Sequence, residues 1–69
     1  MEKDIAARIV KAAVALDAPI GELEGLISEL GDHEEKAEYV RALGDIIGMI
    51  ATHFVFRIVR QYPELDPDR

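Results

Sequence analysis

The stretch GDIIGMIATHFVFRIVR, Gly44 to Arg60, decides the fold. It is too apolar for the surface of a small soluble protein. It is also too polar for a bilayer. A membrane span needs about 20 mostly apolar residues. The apolar run from Ile46 to Val59 is shorter, contains His53 and Arg57, and is bracketed by Asp45 and Arg60. A soluble helix therefore fits this stretch better than a membrane span.

Placed at 100° steps, the residues form two stripes. Val40, Leu43, Ile47, Ala51, Phe54 and Ile58 make one, the expected core face. Ala42, Ile46, Met49 and Phe56 make another on the far side, with His53 and Arg60 in its line. A helix covered on one side only should be polar on the other. Gly44 and Gly48, with Thr52 in series, add a flank of small side chains that permits close backbone approach. An interior glycine costs about 1 kcal/mol against alanine, so two of them point to packing or to a kink.

Working outward, Asp32 followed by Glu35 has capping-box spacing, and the acidic run GDHEEKAEY suits a helix start. Pro63 ends the helix, because the residue before proline avoids helical geometry. Upstream, LDAPIGEL punctuates the chain. Asp17 suits an N-cap, Pro19 a first turn, and Gly31 a left-handed C-cap. Ile5, Ile9, Ala12, Ala13 and Leu16 share a stripe before that break. Ile20, Leu23, Leu26, Ile27 and Leu30 share one after it. The pattern predicts an all-α fold of two short helices, about 2–16 and 18–30, and one long C-terminal helix. Residues 1–62 make a single helical domain, followed by an extended acidic tail over 63–69 that Leu65 anchors.

A helix of roughly 30 residues would be about 45 Å long, more than two short helices can wrap. The expectation is a homodimeric helical bundle centred on that helix. Its dimer interface is Ala42, Ile46, Met49, His53 and Phe56. A kink at Gly44 or Gly48, giving a compact monomer, is the competing arrangement.

With 69 residues the chain forms one domain and buries only about 60% of its unfolded surface. No cysteine is present to help, which leaves oligomerisation or regular helix packing. The formal net charge of −6 disfavours nucleic acid and anionic membranes. Eight acidic residues lie between Asp17 and Glu38 against Lys36 alone. Glu22, Glu24, Glu29, Glu34, Glu35 and Glu38 form the candidate surface for a basic protein partner. The N-terminal MEKDIAARIV lacks the apolar core of an export signal, so a cytoplasmic location is expected.

Chemistry-bearing patterns are sparse. His33 in DHEE lacks the His-x-x-x-His or Glu-x-x-His spacing of helical metal sites. No nucleophile is spaced to pair with His53, and Ser28 is the only serine. Arg57 and Arg60 suit stems that cover apolar surface with heads in water. Glycines 21, 25, 44 and 48 lie in helical patterns and make no phosphate loop. The acidic second helix is a poor DNA-recognition element. The reading is a small acidic interaction or regulatory protein without enzymatic activity, cofactor or metal. The alternative is a small-molecule module with a pocket near Met49, His53, Phe56 and Arg57.

Overall fold

The computed structural model describes residues 1–68. The chain is a hairpin of two long antiparallel helices, measuring 46 × 19 × 17 Å. This corrects the expected pattern of two short helices and a long one. The first helix covers residues 3–28 and the second His33–Gln61, of 26 and 29 residues.

The expected break at Asp17–Pro19 does not occur. The α-helical segments Lys3–Ala15 and Asp17–Ser28 are joined through Leu16, which stays right-handed helical at φ −69°, ψ −13°. The turn tightens locally, with the Leu16 N–H donating to the Ala13 carbonyl at 3.2 Å. The Ile20 N–H then reaches the Leu16 carbonyl at 3.0 Å, and the α-helical ladder resumes. Pro19 falls just beyond this tight turn, where a missing N–H costs least. Asp17 accordingly lies inside the helix and caps nothing.

At its far end the first helix closes by tight turns, Glu29 N–H to Leu26 and Leu30 N–H to Ile27, each 3.1 Å. No glycine has positive φ, so Gly31 is not a left-handed cap. Asp32 does cap the second helix. Its Oδ1 accepts from the N–H groups of Glu34 and Glu35 at 2.9 and 3.1 Å.

The second helix runs through Gly44 and Gly48 without interruption and changes winding later. It is α-helical over His33–Ile50, π-helical over Ala51–Phe56 and α-helical again over Arg57–Gln61. A π turn takes up more residues than an α turn, so side chains beyond it fall back in phase. Tyr62, before Pro63, leaves helical geometry at φ −131°, ψ 80°. Pro63–Leu65 then form a 3-10 turn. The tail is tied down by the Tyr62 hydroxyl donating to the Met1 carbonyl at 2.7 Å, and by a Lys3–Glu64 ion pair at 2.8 Å. Arg69 lies outside the described residues.

Two helices can shield only the line along which they touch. Ala6, Val10, Ala13, Leu43 and Ile58 are buried, with Ile9, Tyr62 and Leu65 packed against the Ala6–Val10–Ile58 cluster. Of the expected core stripe, Leu43 and Ile58 are enclosed, whereas Val40, Ile47 and Phe54 remain about half exposed.

The glycines make no close approach within the chain. A Cβ built on Gly44 or Gly48 meets nothing within 4 Å. Gly48→Ala should therefore raise stability by up to about 1 kcal/mol, through helix propensity alone. A urea melt of the variant checks this. A loss of stability would mean that the small flank packs against something outside the hairpin.

Candidate interaction surface

The open faces on either side of the helix–helix line are the chief surface features. One carries two apolar grooves in succession. The first, about 430 Å³, lies towards the loop between Leu23, Leu26 and Leu30 of the first helix and Tyr39, Ala42 and Ile46 of the second. Glu35 is its one charged lining residue. The second, about 350 Å³, is lined by Ile9, Ala12, Ala13 and Leu16 opposite Ile50 and Phe54.

These positions join into one seam. On the first helix they step by three, four or seven residues, as one helical face requires. On the second, Tyr39, Ala42, Ile46 and Ile50 keep the α spacing. Phe54, inside the π turn, is drawn back into their line. The result is an apolar strip along the hairpin. It is open to solvent, with Leu26 63%, Tyr39 53% and Phe54 52% exposed.

The opposite side is partly occupied. Its grooves run past Val14, Ile20, Ile47 and Val55, and Pro67 of the tail lines them too. Leu65 packs there beside Val10 and Val14. Nearer the loop, Glu24 and Lys36 border the groove beside Val40 and Gly44. The tail thus covers part of one face and leaves the Leu26–Phe54 seam clear.

The five residues expected at a dimer interface are all exposed but do not converge. Ala42 and Ile46 lie in the seam. Met49 is at its margin by helical position. His53 is exposed on the π turn. Phe56 lines the opposite groove with Val14 and Val55. Met49, His53 and Arg57 border none of these grooves.

The six glutamates of the candidate partner surface are exposed too, gathered at the loop end. Glu35 sits in the seam and Glu24 in the opposite groove. By helical position Glu22, Glu29, Glu34 and Glu38 face away from the helix–helix line. Among the described residues, no group of three or more His, Asp or Glu side chains is placed to hold a metal ion.

The whole chain exposes 5439 Å². A compact monomer of 7.7 kDa would expose roughly 4,300 Å² by the usual scaling. The excess is of the order that a protein–protein contact buries per partner, about 800 Å². The second helix is also long and apolar enough, by length and composition alone, to cross a membrane. Its apolar run from Ile46 to Val59 is short for a span, however, contains His53 and Arg57, and is bracketed by Asp45 and Arg60.

Of the residues that the sequence singled out, the glutamates are exposed, and Ala42 and Ile46 line the loop-side groove. The sequence did not single out Leu16, Leu23, Leu26 and Tyr39, which line the grooves of the same face. The available signal was the count of large apolar side chains on the first helix, which exceeds what one partner helix can cover. No family model, curated protein or solved structure matches the chain.

Proposed function

We propose that this protein is a non-enzymatic, cytoplasmic interaction module. It pairs with a second copy through its open apolar face and engages a basic protein through its acidic loop end. The observation that carries the reading is the pair of open apolar grooves that follow one another along one face from Leu26 to Phe54, with exposed glutamates at the loop end. A two-helix hairpin this small gains little stability from its own core. Covering the seam with a second hairpin gives a four-helix arrangement with an enclosed interior. The outward glutamates stay in water after pairing and remain available to cations on a partner.

The partner half of the reading is tested with a fluorescent Lys/Arg-rich peptide and the charge-reversed variant Glu22→Lys/Glu24→Lys/Glu29→Lys. The wild type should bind the peptide and lose affinity as salt rises, since exposed charge pairs are screened. The variant should bind at least about tenfold more weakly, while light scattering shows it still dimeric. Equal binding by both proteins would remove the acidic end from the account.

A further inference from the structure

We infer that the two copies pair antiparallel, head to tail, across the Leu26–Phe54 seam. The loop end of each hairpin then lies beside the terminal end of the other. This rests on the self-association proposed above and specifies its geometry.

Charge supplies the first argument. Residues 17–46, the loop half, carry nine carboxylates against Lys36 and Arg41. The terminal half with its tail, residues 1–16 and 47–69, is close to neutral, with six Lys and Arg against five carboxylates, and Lys3 is paired with Glu64. The hairpin is therefore electrically polarised along its length. A parallel pair would set acidic half against acidic half. An antiparallel pair sets each acidic half against a near-neutral one, and avoiding the like-charge repulsion fixes orientation in this way. Glu35, the one charge lining the loop-side groove, then faces the near-neutral end of the other copy rather than its own twin.

Shape and area supply the second. The seam runs through both halves of the hairpin, so either copy presents the same strip when turned end for end. That self-complementarity is what a two-fold contact requires. A face of the hairpin's length and width, 46 by 19 Å, covers roughly 800–900 Å² per partner. That is enough for a stable dimer. The opposite face is partly taken by the tail at Leu65 and Pro67, which leaves this one as the docking face. Near the dyad lie Leu16, Ile46 and Ile50, midway along the helices.

One consequence is functional. The two acidic loop ends stand at opposite ends of the dimer, which makes it a two-headed linker for basic partners.

The chain has no cysteine, so single labels are unambiguous. Glu29→Cys, in the exposed loop, carries a nitroxide spin label without touching the seam. Pulsed electron paramagnetic resonance should give an intermolecular distance of about 40 Å, close to the hairpin length. Mixing these chains with Gln61→Cys-labelled chains should add a short distance of about 20 Å or less. A short Glu29–Glu29 distance, as two side-by-side hairpins give, would overturn the antiparallel arrangement and leave self-association standing. No intermolecular distance, with a monomer mass by light scattering, would overturn both.

Discussion

Ile46→Glu should turn the protein from a dimer into a monomer at concentrations where the wild type is fully paired. Ile46 is 45% exposed in the single hairpin, so a glutamate there reaches water easily and costs the isolated chain little. In the paired molecule it lies near the two-fold axis. Two carboxylates would meet each other there, in an apolar seam, with no cation close by. A desolvated and unpaired charge costs several kcal/mol, and symmetry counts it twice. The dissociation constant should rise at least about a thousandfold, which corresponds to roughly 4 kcal/mol. Sedimentation equilibrium of wild type and variant checks it. A matched substitution on the other face, Val40→Glu, should leave the dimer intact, because that side is not the docking face. Dissociation by Val40→Glu with Ile46→Glu unaffected would move the interface to the tail-bearing side.

Ile58→Ala should have the largest effect on folding. Ile58 is 3% exposed and anchors the cluster with Ala6 and Val10, on which Ile9, Tyr62 and Leu65 also pack. Removing a buried isoleucine's outer carbons typically costs about 2–5 kcal/mol. A domain of this length rarely has more than about 3–5 kcal/mol from its own core. The variant should lose most of its helical circular dichroism near 37 °C and release the tail that Tyr62 and Leu65 hold. Val40→Ala, at a half-exposed position, should cost less than about 1 kcal/mol. An Ile58→Ala melt within 1 kcal/mol of wild type would show that the terminal cluster is not where the hairpin is held.

The sequence made the all-helical class, the Asp32 cap and the stop before Pro63 readable. Each is set by local chemistry: propensity, a carboxylate beside free N–H groups, and the steric demand of proline. It misled at Asp17–Pro19, where every residue type suits a new helix start. A single tight turn at Leu16 keeps the backbone right-handed and absorbs the missing N–H. Residue type and spacing do not distinguish such a tight turn from a break. The two stripes on the second helix were drawn at a constant 100°, and the π turn over Ala51–Phe56 breaks that constancy. Phe54 was therefore placed in line with Val40 and Ile47, and instead lines a groove beside Ile50 on the other side. Phe56 was assigned with Ile46 and lies on the other side. Upstream of the π turn the same arithmetic kept Ala42 and Ile46 together. The excess of apolar surface was legible throughout, because it depends on composition and length rather than on phase.

The most direct test of the central claim is the mass of the unmodified protein by light scattering across a wide concentration range. The account predicts twice the chain mass of 7.7 kDa at micromolar concentrations and above. A folded species that keeps the single-chain mass at every concentration would contradict it.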